Sequence, residues 1–429
     1  MRLIIAVLAK LWPAAAGPGS DRVRADVLWS VGGYLLMGFS LFFGEFLIGR
    51  LHGPAGLGQF MQVMAGLMLV SHFAVIGIPV SVVVRVAGNQ ARGGDPAPII
   101  LGGLMGAAGL GLSLTLLGWV LPLPWKPPGL LAALPFMCLN RVGFASLIGS
   151  RRYPEFATLQ VIRHLMLAPF VVFFPDPLFP YCLAMAEAAS MVLLGWRLRG
   201  ALMAPLGEGW HWLRNHLPFG LRSLIDDPMS ELVPRLHLSI LAVFAPAEIC
   251  GIFGFAAFFA DALAQLAVVF RNLTTPALAS GLSGGDRKML ALNLAGQQRL
   301  TYLLALVAVT PIIGLFPVMI WVLGLDPRFL EGWPALAVIL VGLGLAYGYL
   351  PLVGAPFAAG RPGFGLAISL GVLATSLTLD YTLIPVFGLM GAAIAASVAY
   401  LTAAVASHLV VTRLLGIPAT LPLALYRGE

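Results

Sequence analysis

Residues 53–60 read GPAGLGQF, and residues 245–253 read APAEICGIF. Each closes one apolar run and opens another, and Pro54 and Pro246 stand 192 residues apart. Glycine and proline at such a junction mark a break between elements. Two more pairs keep the order: GGDP (93–96) with GGDR (284–287), offset by 191, and GSRRYP (149–154) with AGRP (359–362), offset by 210. One match is weak. Three in register, with an offset that drifts as insertions would make it drift, predict a chain built from two copies of one unit.

The runs between these junctions set the solvent. Of 429 residues, 59% are hydrophobic and 10% charged, with a mean hydropathy of +0.94. A soluble domain carries about 25% charged residues. Twelve segments reach the ~20 apolar residues that cross a bilayer: 27–48, 60–87, 98–121, 129–149, 156–175, 178–197, 218–245, 250–272, 300–324, 333–358, 363–385 and 389–413. They are continuous rather than alternating, which predicts helices and not barrel strands. The 50 glycines and 32 prolines suit spanning helices that approach closely. The predicted fold is therefore an all-α membrane protein of twelve transmembrane helices in two six-helix lobes. Six is even, so both lobes run the same way, related by a pseudo-two-fold axis along the membrane normal. The predicted units are an N-terminal cytoplasmic or interfacial segment (1–26), an N-lobe (27–197), a cytoplasmic linker (198–217), a C-lobe (218–413) and a cytoplasmic tail (414–429). Near the start, Leu3, Ile4, Val7, Leu8, Leu11 and Trp12 fall at helical spacing, which favours a helix lying in the interface over a cleaved signal peptide.

The net charge of +7 is scattered among loops, so it points to membrane orientation rather than to nucleic acid. With the N-terminus in the cytoplasm, 18 of the 25 Lys and Arg fall on that side. Three (Arg50, Lys126, Arg328) fall on the other, and Arg85, Arg141, Arg163 and Arg235 lie within spans. Both termini are expected to be cytoplasmic. No phosphate-loop, His-Glu-x-x-His or Gly-x-Ser-x-Gly motif is present, and Cys138, Cys182 and Cys250 have no metal or disulfide spacing. The sequence assigns no catalytic residue, metal or cofactor. Two like-oriented lobes with a cleft between them are a transporter plan, and no filter-like loop suggests a channel.

Residues 43–87 carry Leu51, Gly53, Pro54 and Gly58 in a Leu-Gly-Pro-x-x-x-Gly-like connection with His52 in the place of a glycine, and residues 383–401 carry Ile384, Pro385, Gly388, Gly391, Ala392 and Ala393. Both stretches resemble Wzx-type polysaccharide flippases of the multidrug/oligosaccharidyl-lipid/polysaccharide (MOP) exporter superfamily. The resemblance implies a MATE-like fold in a bacterial inner (plasma) membrane. It also implies translocation of a polyprenyl-pyrophosphate-linked oligosaccharide from the cytoplasmic to the periplasmic leaflet for polysaccharide biosynthesis. The partners implied are the lipid-linked sugar, membrane lipids and polysaccharide polymerase or export machinery. An ion-coupled multidrug exporter of the same superfamily is the alternative, and a membrane polysaccharide polymerase or ligase a more remote one.

An ionisable group at the bilayer centre costs about 2.5–3.5 kcal/mol on insertion scales, so each one needs a reason. In the stretch 222–240, Asp227, Glu231 and Arg235 share one helical stripe and His237 follows, with Pro228 and Pro234 favouring a bend. This stripe is either the wall of a hydrated cavity or a self-neutralised ladder. Arginine forks hold phosphate bidentately, so Arg141, Arg163 and Arg235, with Asn140 and His237, are the candidate substrate contacts. The alternative is that each arginine pairs with a buried carboxylate such as Glu187. Asp261, Glu45, Glu231 and Asp227 are the candidates for coupling to H+ or Na+. Asp261 could instead bond Gln265, and Glu45 and Asp380 could lie wetted near the outer edge.

Overall fold

The computed structural model describes residues 20–90, 92–121, 129–173, 181–223, 229–284, 287–359, 361–414 and 416. These residues are helical apart from short connections. The N-terminal half contains α1 (Ser20–Ala74), α2 (Ile78–Gln90), α3 (Ala97–Val120), α4 (Leu130–Gly149), α5 (Tyr153–Leu165), α6 (Leu167–Phe173), α7 (Cys182–Arg197) and α8 (Leu206–Ser223). The C-terminal half contains α9 (Met229–Phe244), α10 (Ala247–Gly284), α11 (Arg287–Val322), α12 (Trp333–Ala346), α13 (Pro362–Phe387) and α14 (Leu389–Leu409). The interfacial helix expected before Ser20 lies outside the described residues. Among the described residues, nine helical stretches are long and apolar enough to cross a membrane. One of them, Leu36–Ala74, contains a reversal. Gly53 adopts φ 65°, ψ −170° inside α1, and Leu57 packs beside Gly49, although a straight helix would hold residues eight apart at about 12 Å. GPAGLGQF is thus the corner it was read as, with Gly53 supplying the left-handed turn.

Several predicted boundaries are corrected. The second span does not run unbroken over 60–87: the helix stops at Ala74, and Ile76 (φ 44°) and Gly77 (φ 63°) redirect it into α2. The tenth stops at Ala346 rather than 358, where Gly348, Pro351 and Gly354 break it into turns. Residues 273–299, left between the eighth and ninth predicted spans, belong largely to α10 and α11. The boundary drawn at 217/218 falls inside α8, and that at 26/27 inside α1. The sixth and seventh segments appear as α7 and α9, of 16 residues each.

The halves meet through α1 on one side and α9 and α10 on the other. Gly58 and Gly251 form the crossing: a Cβ on Gly58 would overlap the Ala247 carbonyl, and one on Gly251 the Pro54 carbonyl. The two copies of the repeat motif therefore press backbone against backbone, which only small residues permit. Beside them Gln62 Nε2 lies 3.4 Å from Cys250 Sγ, Arg50 Nη1 donates to the Leu323 carbonyl at 3.1 Å, and Phe329 packs on Gly49. Deeper, Phe42 meets Phe255, Phe258 and Phe259 with ring centroids 5.3–6.3 Å apart. This end of the bundle is sealed. Trp119, Val120, Phe173 and Trp321, at helix ends on the same side, are 66–82% exposed, as a belt facing lipid would be. The opposite end carries Arg152, Arg197 and Asp95 around a cavity of about 230 Å³.

Candidate functional site

Among the described residues, a buried polar cluster that holds a carboxylate sits in each half. In the C-terminal half, Arg235 on α9 reaches Asp261 on α10, Nη1 to Oδ2 3.1 Å. Two residues on, His237 Nδ1 donates to both carboxylate oxygens of Asp380 on α13, at 2.8 and 3.0 Å. These side chains are 3% and 0% exposed. The carboxylate fixes a proton on Nδ1. His237, Asp261 and Tyr400 line a cavity of about 20 Å³, room for about one water molecule. Glu45 enters from α1, within electrostatic reach of Arg235 and Asp261. It is 3% exposed and its Oε2 has no hydrogen-bond partner.

In the N-terminal half, Glu187 on α7 is the hub. Arg163 on α5 grips it with Nε at 2.9 and 3.1 Å and Nη2 at 2.5 Å, and Asn140 Nδ2 on α4 donates to it at 2.7 Å. The Arg163 guanidinium also lies 5.7 Å from the Phe144 ring centre. Arg141, next to Asn140, turns toward α1, where Nε donates to Ser71 Oγ at 3.0 Å and Nη2 to the Met68 carbonyl at 3.3 Å.

The structure thus groups Arg235, His237, Asp261 and Glu45 around one junction, and Asn140 and Arg163 around another. It does not bring Arg141, Arg163 and Arg235 onto one surface. Arg163 is held by Glu187, as the pairing alternative supposed. Asp261 bonds Arg235 rather than serving as the partner of Gln265. Glu45 and Asp380 are buried rather than wetted at an edge, because α1 packs on α10 and α13 on α9. Asp227 lies outside the described residues, as does the Glu231 side chain, so the stripe they form with Arg235 is not described. Sequence reasoning missed the His237–Asp380 pair and Tyr400. An acid in the apolar run of α13 and a histidine in that of α9 were the available hint, but nothing local says that the two helices touch.

No protein-family model matches the chain, and no curated protein matches it. Solved structures do. An inward-facing multidrug resistance MATE family transporter of the MOP superfamily is 15% identical, with 92% of this chain and 100% of that one covered and a TM-score of 0.70. The lipid II flippase MurJ in an inward closed conformation is 14% identical over 90% and 87% of the two chains, TM-score 0.69. A MOP superfamily transporter from Pyrococcus furiosus, described as having a binding pocket of reversed polarity, is 16% identical over 92% and 97%, TM-score 0.60. The chain has the fold of the MOP superfamily transporters.

Proposed function

We propose that the protein is a flippase that moves a polyprenyl-pyrophosphate-linked oligosaccharide from the cytoplasmic to the periplasmic leaflet by alternating access. The observation that carries this reading is the placement of two guanidinium groups at membrane depth in the N-terminal half, Arg141 mid-way along α4 and Arg163 mid-way along the apolar span Tyr153–Phe173. Guanidinium forks are suited to phosphate oxygens. The sealed end is the periplasmic side in this reading, as the sequence's arginine distribution orients it. The protein then rests inward-facing, in keeping with a TM-score of 0.70 to an inward-facing MATE transporter against 0.60 to an outward-facing one. The resemblance in fold to a lipid II flippase supports a lipid-linked cargo. Coupling belongs to the junction: opening the seal would wet Glu45 and Asp261, letting them exchange H+ or Na+ with the outer compartment, with Asp227 and Glu231 as further candidates.

The test is reconstitution in liposomes with lipid-linked sugar, with and without an imposed potential. Arg141→Ala and the pair Arg163→Ala with Glu187→Ala are expected to slow flipping at least tenfold. Normal rates in both would remove the arginines as anchors. The second reading, an ion-coupled multidrug exporter, is favoured by Glu45, Asp261 and Asp380 lying together. It predicts proton- or sodium-driven efflux of a lipophilic cation from the same vesicles, with no turnover of the sugar lipid.

A further inference from the structure

Helix α8 has three faces. Gly209, Trp212, Leu213, His216 and Gly220 point into the bundle, where His216 Nε2 donates to the Ile99 carbonyl at 3.0 Å and Nδ1 meets Ser81 Oγ at 2.8 Å. Gly209 lies against Leu101 and Met105, and Trp212 against Gly102. Glu208, His211 and Asn215 form a polar face. The third face follows the i, i+4, i+8, i+11, i+15 spacing of one helical stripe: Leu206, Trp210, Arg214, Leu217 and Leu221. Leu206, Trp210 and Leu221 are 70%, 50% and 62% exposed. The stripe continues backward along the chain through Met203, Leu202 and Trp196, at 82%, 50% and 59%. Two arginines stand over the tryptophans of this strip: Arg197 lies 5.0 Å from the Trp196 ring centre and Arg214 5.8 Å from that of Trp210. Arg199 adds a third exposed cation, and Glu155, 4.0 Å from Arg197, is a near carboxylate already bonded by Arg152.

We infer that residues 196–221 form an interfacial platform that lies in the headgroup layer and binds anionic phospholipid. Tryptophan prefers the boundary between headgroup and chain. A helix with one apolar stripe, one polar stripe and arginine at their border lies in that plane. Basic side chains at an anionic leaflet attract it by about 1 kcal/mol each, which separates an anionic lipid partner from a neutral one. The docking of α8 through His216 makes the platform part of the N-terminal half, so that this half is the one tied to the membrane surface.

The experiment uses the full chain in vesicles of phosphatidylcholine with or without 30% phosphatidylglycerol, where ~30% approximates an anionic leaflet. The Trp210 contribution is taken as the fluorescence of wild type minus that of Trp210→Phe. It is expected to be quenched by lipids brominated near the headgroup and shielded from aqueous iodide. The enrichment of phosphatidylglycerol around the protein is expected to fall about fivefold for each of Arg197→Gln, Arg199→Gln and Arg214→Gln. Iodide quenching equal to that of free tryptophan would overturn the platform. Bromine quenching with unchanged lipid enrichment in the triple variant would overturn the anionic lipid as its partner. Both readouts are independent of whether the protein flips a sugar lipid.

Discussion

Asp380 is 0% exposed in an apolar helix, a position a carboxylate holds only when its oxygens are hydrogen-bonded. His237 supplies those bonds, and the pair fastens α13 to α9. His237→Ala leaves that carboxylate buried and alone, which costs about 3–5 kcal/mol. The thermal unfolding midpoint in detergent is expected to fall sharply, and to recover in large part when Asp380→Leu is combined with His237→Leu. His216 gives a pH dependence. Burial pushes it down from 6.5 to about 4, opposed by its bond to the Ile99 carbonyl, with the Arg85 charge lowering it further. The folded state thus favours neutral imidazole. The stability this confers is complete above pH 6.5 and is lost as pH falls toward 4, because the unfolded chain binds the proton first. The loss is on the order of 3 kcal/mol. The reactivity of a cysteine introduced in place of Leu213, on the docked face of α8, is expected to rise across that window, and to be flat with pH when His216→Gln is added. At this scale the sequence revealed which groups were costly but not which met. Depth depends on what packs over a residue, so Glu45 and Asp380 looked peripheral and proved to be interior.

At the scale of elements, the repeat motif was legible because glycine and proline punctuate apolar sequence plainly, and its meaning grew in the structure. GPAGLGQF and APAEICGIF do more than turn the chain; they are the surfaces by which the halves touch. Gly251→Val places two methyls against the Pro54 carbonyl, a backbone atom that cannot rotate away. Spin labels at Leu51 and Leu330, both exposed at the sealed end, are expected to show a longer mean separation in that variant, without loss of the folded protein. The breaks were less legible. Val75–Gly77 interrupts a run that is apolar on both sides, and hydropathy is blind to backbone sign. Residues 273–299 are polar enough to read as a loop, yet helices that leave the membrane continue because their first turns are already nucleated.

For the whole molecule, the proposed reading turns the arginine-bearing end to the cytoplasm and the closely packed end to the periplasm, which gives the resting state a direction. An inside-negative potential drives an anion outward by about 2.3 kcal/mol per charge per 100 mV. Flipping of a pyrophosphate lipid in right-side-out vesicles is therefore expected to quicken when potassium and valinomycin impose that sign, and to slow when it is reversed. Glu45→Gln is expected to remove any response to a pH gradient while leaving the response to potential. Loss of both would move Glu45 from coupling to the architecture of the seal.

Because α8 is moored to its own half by His216, it does not act as slack between the halves. Any movement of one half against the other must therefore carry α8 along with α2 and α3 as one body. Spin labels on α8 and α3 are expected to keep their separation through turnover, while a pair on α8 and α13 changes.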